Sequence, residues 1–163
     1  MEGVFPVQLA ALYAAEKLRR AMDARADSSR AIPILAADTV VDLNGSALGK
    51  PADRAEAIAM LERLSGRTHE VHTAFSLAAG DAVIAESATT RVRFYPLERD
   101  EIAAYVATGE PFDKAGGYGI QGRAAALVES IEGDFYAVMG LPLARVIRAL
   151  RRLGFTLPAT NVG

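Results

Sequence analysis

The hydrophobic and polar positions of the chain repeat with two periods, one typical of helices and one typical of strands. Helical spacing of apolar residues occurs in four segments: 7–25, 53–65, 98–108 and 142–153. Apolar and polar residues alternate over 69–79 and over 82–95, with Gly80-Asp81 between them, which predicts an antiparallel hairpin. A further strand is predicted at 127–131. We therefore expect a mixed α/β (α+β) fold in one domain, while the periodicity leaves the strand order and any parallel pairing open.

The stretch after residue 33 combines an apolar run with chemically useful side chains. Residues 34–37, continued by Val40-Val41, predict a strand buried on both faces, with Asp38 at the end of the first run. An aspartate is rarely buried unless it is paired or binds a metal. Asn44-Gly45 favours a type I′ turn, and the hairpin would bring Lys50 back towards Asp38. The alternative is a structural aspartate that caps a turn.

The overall charge is slightly acidic. At 163 residues the chain is long enough for one domain with a substantial core. A net charge of −2 and a pI near 5.7 argue against nucleic acid as a partner, which leaves a small molecule or a protein. Apolar runs are broken well before the 18 or so residues of a spanning helix, so we expect no membrane association and a cytoplasmic location. The lack of cysteine excludes disulfides and thiolate catalysis.

The positive charges are mostly arginines. Lys and Arg together number 18, and only Lys17, Lys50 and Lys114 are lysines. An ammonium is a compact point charge that suits a phosphate oxygen or a carboxylate, whereas the planar guanidinium needs a different space. We expect these lysines to have a functional role, with chance as the alternative.

A glycine-rich stretch, 109–122, is the second candidate for a site. Four glycines in its second half allow the backbone to approach a ligand closely or to adopt positive φ. Lys114 could bind a phosphate and Asp113 a metal ion, although the stretch is neither a P-loop nor a dinucleotide fingerprint and could be a surface turn. Gln121 pairs a donor with an acceptor, which is the pattern that reads the imide edge of uracil or thymine.

The two histidines of the chain lie three positions apart on a predicted strand. His69 and His72 should therefore point to opposite sides and cannot easily bind one metal ion together. We expect surface or structural roles for both.

Several separated motifs follow one another along the chain: ADTVV, LGKP, LSGRTHEVHT, GEPFDKAGGYGIQG, IEGDFYAV and MGLPL. In identity, order and spacing they resemble the Maf family of nucleoside triphosphate pyrophosphatases, from about Leu9 to Gly154. The GGYGIQG form is similar to that of the branch acting on dTTP and UTP.

The resemblance implies an elongated Maf-like mixed sheet flanked by helices, with an active cleft between two lobes. It implies hydrolysis of dTTP or UTP between the α- and β-phosphates, giving a nucleoside monophosphate and pyrophosphate. Modified pyrimidine nucleotides could fit the same site. The implied cofactor is a divalent metal cation, Mg²⁺ or Mn²⁺, and the implied assembly is a homodimer.

The resemblance also assigns roles to individual residues. Asp38 matches the catalytic acid that accepts a proton from the attacking water, and it could bind the metal as well. Thr39 and Gln121 match positions associated with substrate choice. Lys50 and Lys17 match lysines that line the phosphate site.

Two further residues, Lys114 as a substrate ligand and Asp113 as a metal ligand, belong to the GEPFDKAGGYGIQG motif.

The start of the chain departs from the family pattern. Members begin with a strand and a turn reading Ser-x-Ser-Pro-Arg-Arg, whose arginine contacts the nucleotide, whereas this chain opens with MEGVFPVQLA. We therefore expect a single Maf-like domain, residues 1–163, that is N-terminally truncated relative to the family. The alternatives to an active enzyme are a catalytically impaired nucleotide-binding protein and a septum-formation regulatory protein.

Overall fold

The computed structural model describes residues 5–25 and 32–156. The helices are α1 (Pro6–Asp23), α2 (Arg54–Leu64), α3 (Arg99–Ala107), α4 (Phe135–Val138) and α5 (Leu143–Arg152). The strands are β1 (Ile34–Leu43), β2 (Ser46–Leu48), β3 (Thr68–Ala79), β4 (Ala82–Phe94) and β5 (Val128–Glu132). Three 3-10 turns lie between α3 and β5: Glu110–Asp113, Ala115–Gly117 and Arg123–Leu127. The long helices and the hairpin agree with the sequence prediction, whereas α4 and the 3-10 turns were not predicted.

The strands form one sheet in the order β2-β1-β3-β4-β5, and every pairing in the described part of the chain is antiparallel. Helices flank this sheet, so the predicted α+β class is confirmed. The β1–β2 turn is the predicted one, because Asn44 and Gly45 take φ of 55° and 81°, as a type I′ turn requires. Within the described residues, no helix has the length and apolar content needed to span a bilayer.

The two faces of the sheet pack against different helices. On one face, Ala10 and Ala14 of α1 contact Val40 and Ala74. The other face carries the larger core, in which α2 and α3 cover β1, β3 and β4, while α5 covers the far end of β3. Small residues on α1 allow it to lie close to the first face.

Helix α2 begins and packs as predicted. The Asp53 carboxylate accepts a hydrogen bond from Glu56 N at 2.9 Å, which satisfies an amide at the start of the helix. Ala57, Leu61 and Leu64 form the expected apolar stripe and are fully buried.

Strand β1 runs through Asp38, which ends only the first apolar run, and continues to Leu43. It differs from the prediction in burial, because the 34–37 run is not buried on both faces and Leu35 is 40% exposed. The physical reason is its position: β2 pairs only with the last three residues of β1, so in the described part of the chain the outer edge of 34–40 pairs with no strand.

Candidate active site

A cavity of about 620 Å³ opens beside β1. Its walls come from β1, the residue after the β1–β2 hairpin, the glycine-rich segment and the segment after α4. Every candidate site residue of the sequence analysis lines it: Lys17, Asp38, Thr39, Lys50, Asp113, Lys114 and Gln121. Their chemical roles stay predictions, but the fold brings together groups that are up to 104 positions apart, from residue 17 to residue 121.

Asp38 and Lys17 form an ion pair on the face of the sheet that α1 covers. Lys17 Nζ donates to Asp38 Oδ1 and also to Ala37 O, the second at 3.2 Å. The Asp38 side chain is 19% exposed and the Lys17 side chain 57%. The aspartate therefore has the partner that its partial burial demands. The exposed ammonium can exchange this contact for a phosphate oxygen.

Thr39 points to the opposite face, because successive side chains of a strand alternate. Thr39 Oγ1 lies 2.8 Å from Thr73 Oγ1, and the Thr73 hydroxyl donates to Ala137 O at 2.6 Å. A hydroxyl has one hydrogen, so the bond between the two threonines must be donated by Thr39. Thr39 is left with lone pairs only. It is thus prepared to accept a hydrogen bond from a ligand.

Lys50 is positioned by the β1–β2 hairpin. Asp42 Oδ1 accepts a hydrogen bond from Gly45 N at 2.7 Å, which closes the turn. Further on, Gly49 O accepts from Gly116 N at 2.9 Å and ties the hairpin to the glycine-rich segment. Lys50 and Asp38 consequently line the same cavity, as the hairpin prediction required.

Lys114 and Asp113 contact each other at the cavity wall. Lys114 Nζ lies 2.5 Å from Asp113 Oδ1 and 3.2 Å from Glu110 O. The hydrogen bond from Lys114, with a smaller electrostatic effect of Lys50, holds the pKa of Asp113 below its usual value. Asp113 is therefore a carboxylate at neutral pH, the form that binds Mg²⁺ or Mn²⁺.

Glu110 also lines the cavity, although its role was not predicted from the sequence. Its carboxylate oxygens accept from Arg123 N at 3.0 and 3.2 Å. A Cβ on Gly122 would lie 2.4 Å from Glu110 Oε2, so glycine at that position lets the carboxylate reach the backbone. The contact holds the loop with Gln121 against the turn with Lys114. In the sequence, only the position of Glu110 at the start of the glycine-rich stretch could have indicated that it belongs to the site.

The IEGDFYAV motif fixes the wall on the far side of Thr39. Asp134 caps α4 by accepting from two backbone amides of that helix, at 2.9 and 3.2 Å. The Thr90 hydroxyl donates to Asp134 O and accepts from Asp134 N. The backbone at Gly133 lies so close to Thr90 that a Cβ on Gly133 would be 2.8 Å from Thr90 Oγ1. The residues that follow α4, Met139 and Gly140, then line the cavity.

The histidines point to opposite faces, as predicted, and both are buried. His69 Nε2 lies 2.7 Å from the Tyr118 hydroxyl, and its ring packs edge-on against Phe94. Burial lowers the pKa of His69 to about 4. His69 therefore has a structural role, and the surface alternative is wrong for both histidines.

A second polar group lies outside the cavity. Ligand atoms of Asp42, Glu70 and His72 all lie within 4.8 Å of one another and could hold a metal ion. None of the three lines the cavity beside β1. This group was not predicted from the sequence, because it depends on the β1–β3 register, which places Asp42 opposite Glu70.

Comparison with known proteins identifies related sequences. The family model described as Maf-like protein matches residues 4–153. The dTTP/UTP pyrophosphatase of Symbiobacterium thermophilum is 56% identical over 130 residues, which is 80% of this chain and 67% of that protein. Those of Methylobacillus flagellatus and Thermus thermophilus are 53% and 57% identical, over 80% and 75% of this chain. The match spans 65% of each of these two proteins, so the chain covers about two thirds of the length of its curated relatives.

Proposed function

Because the chain belongs to the Maf family, we propose that it hydrolyses dTTP or UTP to the nucleoside monophosphate and pyrophosphate. The observation that carries the proposal is that carboxylates, three lysines and an amide line one cavity. Asp38 is the carboxylate proposed to act on water, and the amide is that of Gln121. Relatives named dTTP/UTP pyrophosphatase support the substrate class.

The lysines supply the positive charge that a triphosphate needs. Hydrolysis of a phosphoanhydride depends on positioning and on neutralising charge more than on covalent help. Lys17, Lys50 and Lys114 are all the lysines of the chain, and all three line the cavity. All other positively charged side chains apart from histidine are arginines. The compact ammonium groups thus lie where phosphate oxygens would bind.

Asp38 is the proposed proton acceptor for the attacking water. When Lys17 turns to a phosphate oxygen, the Asp38 carboxylate becomes free to accept a hydrogen bond from water. The water oxygen attacks the α-phosphorus, Asp38 takes the proton, and the bond between the α-phosphorus and the bridging oxygen breaks. Pyrophosphate leaves with the bonding electron pair.

The donor set also suits a divalent cation. Asp38 and Asp113 both line the cavity, and Mg²⁺ or Mn²⁺ takes one or two carboxylates together with phosphate oxygens. These two residues would hold the ion, which when bound neutralises charge on the phosphates.

Gln121 and Thr39 are proposed to select the base. The amide of Gln121 can donate to a carbonyl of uracil or thymine and accept from the ring N–H. Thr39, which can only accept, favours a ligand that presents a donor. Pyrimidines modified at position 5 keep the same imide edge and should be accepted too, whereas cytosine and guanine reverse part of the pattern.

The test is pyrophosphate release from dTTP, UTP, CTP and GTP with Mg²⁺ or Mn²⁺, comparing the wild type with Asp38→Asn. The matched control is Asp23→Asn, which removes an exposed aspartate paired with Arg19 on α1 and outside the cavity. Turnover of dTTP and UTP should persist in the control and vanish in Asp38→Asn. Equal turnover of GTP would contradict the role of Gln121.

A second candidate function is nucleotide binding without turnover, because in the described part of the chain no strand pairs with the outer edge of residues 34–40 beside Asp38. Folded wild type that binds dTTP and releases no pyrophosphate would establish it.

A regulatory protein of septum formation would instead bind a protein partner, and Asp38→Asn would leave that binding unchanged. We also propose that the protein is cytoplasmic and forms a homodimer. Light scattering of the purified chain measures the molar mass of the assembly.

A further inference from the structure

We propose that Asp42, Glu70 and His72 bind one Zn²⁺ ion at a site separate from the nucleotide cavity. The three side chains lie on the face of the sheet that α1 partly covers, whereas Val41 and Val71 point through the other face into the cavity. Asp42 is four residues from Asp38, which is about 13 Å along a strand. The two sites therefore do not share a ligand.

The register of the sheet brings the three groups together. Asp42 and Glu70 face each other directly across β1 and β3, and His72 follows two residues later on the same face of β3. The Asp42 carboxylate is already oriented, because its Oδ1 accepts from Gly45 N and its Oδ2 lies nearest His72. Two strands and one turn thus hold the ligands without help from a flexible loop.

The two distances from His72 suit a tetrahedral ion. His72 Nε2 lies 3.4 Å from Asp42 Oδ2 and 3.6 Å from Glu70 Oε2. Ligands at 2.0–2.1 Å from a tetrahedral Zn²⁺ are separated by about 3.3 Å. Asp42 and Glu70 also line a cavity of about 290 Å³, through which an ion can reach the two carboxylates. An imidazole with two carboxylates suits zinc, whereas Mg²⁺ and Ca²⁺ prefer oxygen ligands alone.

The environment of His72 points to the same conclusion. His72 Nδ1 lies 2.9 Å from Thr89 Oγ1, and a metal-binding histidine usually donates its other N–H to such an oxygen. In that tautomer the lone pair of Nε2 points to the two carboxylates and is available to a cation between them. The imidazole is only 4% exposed, so its orientation is set by its protein neighbours. A direct charged hydrogen bond to Asp42 would be about 2.7–2.9 Å, shorter than the 3.4 Å observed.

Arg91 is the cation that could compete for this position. It lies opposite Glu70 in the β3–β4 register and lines the smaller cavity. Its Nη1 bonds Glu132 at 3.1 Å, so its guanidinium is engaged by β5. The Glu70 side chain, 47% exposed, is accessible to an ion from solvent. Bound zinc would tie β1 to β3 at the base of the hairpin that leads to Lys50.

The test is titration of the metal-free chain with Zn²⁺ by calorimetry and with Co²⁺ by visible absorption. We expect one equivalent of Zn²⁺, the intense absorption of tetrahedral Co²⁺ and a melting temperature that rises with zinc. Glu70→Gln should weaken binding by at least about tenfold, and Thr89→Val, which removes the acceptor for His72, by about tenfold. Glu129→Gln is the matched control, a β5 glutamate paired with Arg93.

Three results would overturn the proposal. They are no zinc uptake by the wild type, binding that is insensitive to both Glu70→Gln and Thr89→Val, and binding that is lost in Asp38→Asn, which would place the ion in the nucleotide cavity. Circular dichroism checks that each variant is folded. Thr89 is exposed, so its isosteric variant stays informative even if Glu70→Gln fails to fold.

Discussion

His69 Nε2 and the hydroxyl of Tyr118 lie 2.7 Å apart and join strand β3 to the glycine-rich segment. The two rings and that of Phe94 pack edge-on, with centroids 4.8–5.4 Å apart. Burial raises the pKa of Tyr118 far above its usual value and lowers that of His69 to about 4. The contact therefore joins two neutral groups, and it anchors the segment that carries Gln121.

We expect the free energy of unfolding to fall between pH 7 and pH 5. The unfolded chain binds a proton on His69 near pH 6.5 and the folded chain only near pH 4, so the unfolded state holds more protons in this window. The difference amounts to about 2 kcal/mol at pH 5. Urea unfolding at both pH values measures it. His69→Gln, which keeps a polar partner for Tyr118, should lose this contribution, and an unchanged pH dependence in the variant would contradict the assignment.

Thr73→Val should loosen the substrate site. It removes the hydroxyl donor to Ala137 O, which keeps its bond from Gly140 N, and it removes the acceptor that orients the Thr39 hydroxyl. We expect about 0.5–1.5 kcal/mol lower stability, as for the loss of one buried hydrogen bond. We also expect a higher KM for dTTP with a smaller change in kcat. Thr73→Ser keeps the hydroxyl and should recover both properties. If it does not, the lost methyl packing is responsible.

Lys50→Met should raise the KM for the nucleotide by about tenfold or more, since a hydrogen bond to a charged group contributes about 1.5–3 kcal/mol. The remaining affinity should depend less on ionic strength. Steady-state kinetics at two salt concentrations measure both effects. Arg63→Met, in the last turn of α2 and outside the cavity, is the control. Equal effects of the two substitutions would show that only the net charge matters.

Gln121→Leu should reduce base discrimination rather than folding, because Gln121 is exposed at the cavity wall. Loss of a donor and an acceptor should lower kcat/KM for dTTP and UTP by about tenfold to a hundredfold. Activity with CTP, which does not match the amide, should change little. A uniform loss with every nucleotide would mean that Gln121 contacts the phosphates or the sugar.

Gly116→Ala should destabilise the junction between hairpin and glycine-rich segment. Its φ is +70°, and a Cβ would lie 3.0 Å from both Cγ atoms of Val41. Backbone strain and overpacking together should cost about 2–4 kcal/mol. Gly45→Ala isolates the strain alone, because Gly45 has φ +81° with nothing within 4 Å of its Cβ position. Chemical denaturation compares the two, and equal losses would exclude the clash with Val41.

The sequence predicted most of the fold because its signals are local. The Asp53 cap, the buried stripe of α2 and the Asn44-Gly45 turn each follow from residues a few positions apart. The candidate residues also converged as expected, since motif spacing identified them without knowledge of strand order.

The errors concern contacts between distant segments. The exposure of Leu35 depends on the length of β2, which periodicity does not give. Glu110 is explained only by the backbone of Arg123, and the grouping of Asp42 with Glu70 only by strand register. Pairing across the sheet is not encoded in local composition.

The adjacency of Asp38 and Thr39 on opposite faces has a consequence for folding fidelity. A slip of β1 by one residue against β3 would exchange the two side chains between faces, since side chains alternate with a period of two. A slip in one direction would place the carboxylate opposite Thr73 and Thr39 opposite His72, and a slip in the other direction would place Thr39 opposite Ala74 and the carboxylate opposite Phe75. A molecule trapped in either register would be compact and would form nearly as many hydrogen bonds, but it would be inactive. Activity per folded molecule therefore reports the accuracy of strand alignment.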